Sequence, residues 1–353
     1  IKLFCGKAAS KQMEVYARKK IKEKKILIDQ NISKSSSVNF FREIIAFFQL
    51  RKSIKKYKPD IIHCASPKGI IFGGLISKLL NVKSIVIFNS GMGFLFSNKI
   101  SLKFKFFKFL YIFLLKNFIM KHPNKKIIVE NKTDYFFLKK KYNLLLSEIK
   151  LIRGAGVDLN KFKFHKKIDT KTILLPARVI KEKGIEEFIN AAVSLNKKFP
   201  DWRFLVAGAL DYEKQSKLNI NTIKKLNINN TVKFLGYVKS MNKLYKKTSI
   251  VCLPSYREGF SRTLQEAAAS GIPIVTTDVV GCKDSIIPNY TGLLCKPKNS
   301  KSLEKKLENL ILDKKKRIFF GLNGRKLAKK EFELAKVLKN NLDIYDNLIQ
   351  NTN

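Results

Sequence analysis

Short apolar runs rich in β-branched residues alternate with longer amphipathic segments along the chain, the pattern of parallel βαβ units in an α/β protein. In the first half, Asp60–Ser66 reads as a buried strand opened by Pro59, followed by a helical segment over Lys68–Asn81 and a strand over Ser84–Asn89. A loop carrying Ser90, Gly91, Met92 and Gly93 comes next, and then a long basic, aromatic helix over Lys99–Lys121. Strands over Lys126–Asn131 and Ile149–Gly154 flank a helix over Thr133–Tyr142. The second half repeats the theme. Strands are expected at Thr172–Ala177, Arg203–Gly208, Val232–Gly236, Ile250–Pro254 and Pro273–Thr277, with helices between them and one or more terminal helices over Ser302–Phe332.

A chain of 353 residues exceeds the size at which single cores stop growing, so two domains are expected. Lys161–Thr170 is polar, basic and poor in pattern, and reads as the linker. The expected partition is 1–165 and 166–332, with a terminal helix over 333–353 packing back on the first part. The natural architecture is two Rossmann-like domains facing each other across a cleft, with ligands at the C-terminal ends of the strands.

The charge changes the picture less than its size suggests. Lys and Arg number 71 against 27 Asp and Glu, a formal net charge of +44. An anionic partner would explain it: nucleic acid, acidic lipid or a phosphate-bearing substrate. Plain overuse of Lys explains it equally well, because Lys is spread through the helical segments rather than gathered in one arm. The five cysteines (Cys5, Cys64, Cys252, Cys282, Cys295) form no CxxC pair and several fall in apolar runs, which suits a reducing compartment. His63, His122 and His165 are scattered without zinc-ligand spacing. No signal peptide is visible behind Ile1, and the longest apolar run in the aromatic helix, Phe109–Leu115, falls far short of the ~20 residues that span a bilayer.

The sharpest chemistry lies in Leu253–Ala267, L-P-S-Y-R-E-G-F-S-R-T-L-Q-E-A. An apolar strand ends at Pro254, a loop holds Glu258 and Gly259, and Ser261 stands where a helix N-cap belongs. The amides near Ser261 and Arg262 can receive a diphosphate, aided by the helix dipole. Gly259 lets backbone approach a ligand closely. Glu266, one turn in, can accept the hydroxyl pair of a ribose, and Glu258 that of a sugar. A solvated surface pair of carboxylates remains the alternative. A second constellation, Pro176–Gly184, follows a strand and precedes a helix; Arg178 and Lys183 can converge on phosphate oxygens, and Gly184 permits a sharp helix entry.

Taken together, Ala177-Arg178, Lys183-Gly184, Leu205-Val-Ala-Gly208, Phe234-Leu-Gly236, Leu253-Pro-Ser255, Glu258-Gly-Phe260, Glu266-Ala267 and Gly292-Leu-Leu294 resemble the retaining glycosyltransferases of family 4. The resemblance implies the GT-B fold and a sugar nucleotide as donor. Arg178 and Lys183 would hold its diphosphate, Glu266 its ribose, and Glu258 would lie against its sugar, with Gly259, Phe260, Ser261 and Arg262 as further donor-binding candidates. In the first half, Lys58-Pro-Asp-Ile-Ile-His63, Gly91-Met-Gly-Phe94, Asn131-Lys-Thr-Asp134 and Gly154-Ala-Gly-Val-Asp158 are similar to the subgroup that adds N-acetylhexosamines to undecaprenyl-diphosphate-linked sugars. That subgroup acts in assembly of bacterial surface polysaccharides and glycoprotein glycans. His63, Lys68, Gly91 and Gly93 are then the candidates on the acceptor side; a packed strand end, a solvated helix start and a plain turn explain them as well. The family's first strand and Gly-rich loop would precede Ile1 and so be missing, and a second histidine found in many relatives is replaced by Ala65.

No Asp-x-Asp pair occurs, so diphosphate charge would be met by Arg178, Lys183 and a helix terminus without a metal or other cofactor. Lys99–Lys126, with Phe104, Phe106, Phe107, Phe109, Tyr111 and Phe113 among lysines, has the composition of an interfacial helix. Burial of that aromatic face against a sheet is the competing reading; exposure would hold the enzyme at the anionic inner face of the cytoplasmic membrane. Two rival functions remain at this point. A sugar-nucleotide epimerase of the same shape needs an acid–base set that three histidines do not supply. A charge-driven nucleic-acid binder leaves the Glu258–Glu266 arrangement unexplained, and no sequence-specific nucleic acid is expected.

Overall fold

The computed structural model describes residues 2–6, 27–32, 40–92, 102–164, 169–209, 221, 223, 225 and 227–351. The chain is α/β with parallel sheets. One sheet joins β1 (Lys2–Gly6) to β2 (Leu27–Ile32), in parallel. A second has the order β3-β4-β5-β6, formed by Ile61–Ala65, Ser84–Asn89, Lys125–Val129 and Ile149–Leu151. The largest is six-stranded, built from β7 (Thr172–Leu175), β8 (Arg203–Val206), β9 (Val232–Phe234), β10 (Ile250–Leu253), β11 (Ile274–Thr277) and β12 (Gly292–Cys295). Its order is β12-β11-β10-β7-β8-β9, with every neighbouring pair parallel. A strand at Lys2–Gly6 was not among those the hydrophobic pattern predicts, and neither were β2 and β12; β12 is short and follows a turn with no alternation to mark it.

The helices are α1 (Phe40–Tyr57), α2 (Pro67–Leu79), α3 (Leu102–Leu114, continued by a π-helical turn Leu115–Ile119), α4 (Lys132–Tyr142) and α5 (Ile185–Lys198). Beyond them come α6 (Met241–Tyr245), α7 (Arg262–Ala269), α8 (Ser300–Leu312), α9 (Lys314–Leu327, followed by a π-helical turn Ala328–Phe332) and α10 (Leu334–Gln350). The pattern did not predict α1, because Phe41, Ile44, Ile45 and Phe48 are exposed and blur its apolar stripe. No helix among the described residues is long and apolar enough to cross a membrane.

By packing, the chain falls into two compact units. One comprises Ile1–Phe88, Ile100–Ile127 and Tyr345–Asn353; the other comprises Asn89–Lys99 and Ile128–Ile344. Val157 N–H donates to Phe332 O at 2.7 Å, Leu334 N–H to Val157 O at 3.0 Å, and the Arg325 guanidinium to Phe162 O at 2.8 Å. Residues 157–162 are thereby tied to residues 325–334, across the stretch that reads as a linker, of which 165–168 lie outside the described residues.

The second unit's sheet shows why its strands are continuous apolar runs. β7, β10 and β11 are buried at every residue, as parallel strands covered on both faces must be. On one face, α5 buries Ile185, Phe188, Ile189, Ala192 and Leu195 at helical spacing, against α8 with Leu303, Leu307 and Leu310. On the other, α7 inserts Leu264, Ala267 and Ala268. Cys252, Cys282 and Cys295 lie buried in this unit and Cys64 in the first, where they pack as small apolar side chains. The consequence for function is a rigid sheet whose C-terminal edge holds the loops that matter.

Candidate functional site

β7 and β10 are neighbours in a parallel sheet, so the loops that follow them emerge at the same edge. That topology brings together two constellations 75 residues apart in sequence: Lys183 Nζ donates to Glu258 Oε1 at 2.5 Å. Ser255 Oγ donates to the same oxygen at 2.7 Å. The Glu258 side chain is 13% exposed and that of Lys183 21%, which rules out the reading of a solvated surface carboxylate. At such burial an ion pair is screened little by water, and removing either partner strands the other.

The loop after β10 is anchored from below. Thr276 and Thr277 of β11 donate through Oγ1 to the carbonyls of Leu253 and Ser255, at 2.7 and 2.5 Å. Tyr256 N–H donates to Glu182 O at 2.8 Å, and Tyr256 OH to Glu187 Oε1 at 2.7 Å. The Lys183 loop and the Glu258 loop are thus stitched to each other twice beside the ion pair. Gly184, with φ +70°, turns the first loop into α5, and a Cβ there would collide with the Pro254 carbonyl, so the close fit of the two loops requires glycine.

Helix α7 starts where the sequence places it. Ser261 is its N-cap, with Oγ accepting from Leu264 N–H at 3.4 Å. Glu266 lies on the second turn, 8% exposed, and its carboxylate accepts from Tyr245 OH at 3.4 Å and from Arg262 Nε at 3.3 Å. Burial raises the Glu266 pKa, and Arg262 and the Tyr245 hydrogen bond oppose that shift. Arg178 is exposed, in the same loop as Lys183 and directly after Ala177. Gly259 behaves differently from the expectation of an open approach. A Cβ on it would collide with the Ser90 carbonyl, and a Cβ on Gly91 would stand 2.8 Å from Gly259 Cα. The chain's own loop at Ser90–Gly91 occupies that approach. Phe260 points its ring at Phe332, 5.6 Å between centroids, rather than standing free.

Of the residues packed beside Gly259, Glu130 escaped the pattern, whereas Asn131 and Asp134 belong to a motif the sequence singles out. Glu130, at the end of β5, is 6% exposed, and its Oε2 would stand 3.5 Å from a Cβ on Gly259. Burial, with Asp134 nearby, pushes its pKa up to about 7. Asn131 caps α4, accepting from Asp134 N–H at 2.7 Å, and its Nδ2 donates to Gly259 O at 3.4 Å. Asp134 Oδ2 accepts from Met92 N–H at 3.2 Å. The signal was present: a lone carboxylate closing an apolar strand, followed by an Asn-x-x-Asp helix start.

In the first unit, Ser66 caps α2, accepting from Gly69 N–H at 3.3 Å, with Pro67 in the first turn. His63 is exposed, and its Nδ1 lies 2.6 Å from Tyr345 OH. Lys68 Nζ donates to Glu43 Oε1 of α1 at 2.6 Å. Gly93 lies outside the described residues.

Comparison with known proteins decides the family. Residues 157–327 match the family described as Glycosyl transferases group 1, and residues 2–121 the one described as Glycosyl transferase 4-like. The N,N'-diacetylbacillosaminyl-diphospho-undecaprenol alpha-1,3-N-acetylgalactosaminyltransferase of Campylobacter jejuni is 30% identical over 333 residues, 90% of this chain and 84% of that one. The chain belongs to the group 1, 4-like glycosyltransferases. The capsular polysaccharide biosynthesis glycosyltransferase CapM of Staphylococcus aureus is 26% identical to this transferase over 82% of this chain and 79% of its own. Among solved structures, Anabaena HepE in complex with UDP and glucose aligns with a TM-score of 0.76 at 17% identity, covering 97% of this chain and 91% of its own. The fold of the transferase is accordingly GT-B, as its motifs imply, and the epimerase reading falls away.

Proposed function

We propose that this glycosyltransferase moves a sugar, an N-acetylhexosamine, from a UDP-sugar to a polyprenyl-diphosphate-linked or glycan acceptor, with retention of anomeric configuration and without a metal. The observation that carries the donor half is the Lys183–Glu258 pair on stitched loops beside the Ser261-capped helix. It sets a cation for phosphate oxygens and a carboxylate for sugar hydroxyls within one hydrogen bond of each other. Arg178 and Lys183, with the first amides of α7, neutralise the leaving diphosphate, a task that a metal performs where carboxylates cluster. Gly259, Phe260 and Arg262 complete that wall, and Glu266 receives the ribose. The acceptor half draws on the undecaprenol-linked and capsular names of the relatives. His63, Lys68, Gly91 and Gly93 are its residues in this reading.

The setting we assign is the cytoplasmic side of the membrane, held there peripherally. What supports this is α3, whose Phe106, Phe109 and Phe113 are 63%, 67% and 45% exposed beside lysines, as an interfacial helix requires.

Calorimetric titration of the full chain with UDP and a panel of UDP-sugars, EDTA present, tests the donor site. Charge-assisted hydrogen bonds of roughly 1.5–3 kcal/mol each translate into a tenfold to hundredfold loss of UDP affinity in Arg178→Ala and in Glu266→Ala. A folded chain that binds no UDP, or binds it equally well in both variants, overturns the assignment.

A further inference from the structure

Arg153 follows β6 and has no role in the site described above, yet it packs against the β10 loop. Its side chain is 17% exposed. Burial pulls its pKa down, opposed by Glu331 and Asp284. A guanidinium in such a place needs compensation, and four groups supply it. Its carbon lies 5.8 Å from the centre of the Phe260 ring and 5.2 Å from that of Phe332. One amino group donates to the Asp284 carbonyl, and another lies 3.9 Å from the Glu331 carboxylate. Three stretches remote in sequence meet on this one side chain: the β10 loop, the turn at Lys283–Ser285 and the π-helical turn Ala328–Phe332.

The backbone of Arg153 makes a second attachment. Its carbonyl accepts from Gln265 Nε2 at 2.8 Å, and Gln265 is fully buried in α7. Phe260 and Gln265 bracket Ser261, the N-cap, so the start of α7 is held at both ends by one residue. The Asp284 contact extends the hold. Asp284 Oδ2 accepts from Gly281 N–H at 3.0 Å, and a Cβ on Gly281 would stand 2.5 Å from the carbonyl oxygens of both Glu258 and Gly259. Of the groups assigned to the donor, the Arg153 side chain meets only the Phe260 ring; its other contacts are to what holds them. A planar, delocalised cation suits two ring faces and a fixed carbonyl in a way an ammonium does not.

We propose that Arg153 is a positioning residue of this transferase, fixing the Glu258–Ser261 loop and the start of α7 through Phe260, Gln265 and Asp284. The proposal rests on the reading of that loop as the donor site. A cavity of about 250 Å³ adjoins Arg153, lined by Glu331 together with Lys330, Lys336 and Lys339.

Chemical rescue of Arg153→Ala in the full chain provides the test. Amide hydrogen exchange over 258–264 reads the hold itself and needs no sugar nucleotide. It is expected to quicken in Arg153→Ala and to slow again with millimolar guanidinium, but not with urea, which has the shape without the charge. Transfer should lose on the order of 10²-fold in kcat, as for a displaced catalytic group, with a smaller change in KM, and guanidinium should restore part of it. Should Arg153→Ala fail to fold, Arg153→Lys takes its place, with faster exchange over 258–264 and lower kcat expected at unchanged thermal stability. Exchange over 258–264 that is unchanged, or restored equally by urea, overturns the positioning role. Failure of wild-type UDP binding with that exchange response intact overturns the donor reading and leaves the hold standing.

Discussion

Two strand-to-helix turns of this transferase are built to the same plan and do different work. After β3, Ser66 caps α2; after β10, Ser261 caps α7, and each serine oxygen accepts from the third amide beyond it, at 3.3 and 3.4 Å. The surroundings differ. Ser261 is 4% exposed, between a Glu258 carboxylate tied to Lys183 and a Glu266 carboxylate held by Arg262 and Tyr245. Ser66 is exposed, and its polar neighbours are engaged elsewhere: Lys68 with Glu43, His63 with Tyr345. A capped helix start is therefore common local chemistry, and becomes a candidate donor site only where neighbouring parallel strands deliver a cation and a carboxylate to it.

The largest effect expected from this contrast is on transfer. Lys183→Ala removes a preorganised cation and leaves Glu258 buried beside it, so kcat should fall on the order of 10²–10³-fold. Lys68→Ala breaks a more exposed pair, 33% and 20%, and should cost no more than about 1 kcal/mol of stability in urea unfolding. Equal losses of UDP affinity from the two substitutions would erase the distinction between the turns.

A second effect is on stability. The folded-state pKa of Glu130 is about 7, above its ordinary 4.5, so the folded protein holds this proton longer than the unfolded chain does. Stability is then lost as pH rises from about 4.5 through 7. Glu130→Gln should be more stable than the parent at pH 8 by on the order of 2–3 kcal/mol, with the advantage fading below pH 5. Urea melts at both pH values measure this directly; a Gln variant no more stable at pH 8 would mean that Glu130 carries no burial penalty.

The smallest effect sharpens the comparison most. Ser66→Ala and Ser261→Ala should each lose about 1 kcal/mol, the usual worth of a helix cap. Only Ser261→Ala should also weaken UDP binding. If both or neither change nucleotide affinity, the two caps are not functionally distinct.

Much of the donor side was legible because its signals are local. An apolar strand, a Glu-Gly loop, an N-cap serine and a carboxylate one turn on occupy fifteen consecutive residues, and the helix begins at the residue the cap predicts. Strand interiors were equally plain, since parallel strands covered on both faces leave an unbroken apolar run. Contacts across the stretch that reads as a linker were not legible. Val157 and Phe162 bond to partners near residues 325–334, and no composition shift marks such contacts.

By itself the sequence determined which residues could carry charge, cap helices and fill strands, because propensity and periodicity act over a few residues. Only tertiary structure decided that Lys183 meets Glu258, that Gly259 lies against Ser90 rather than open space, and that Arg153 stands between Phe260 and Phe332. Those pairings depend on strand order and on contacts between segments tens to hundreds of residues apart, which are fixed by burying a shared core and leave no trace in local pattern.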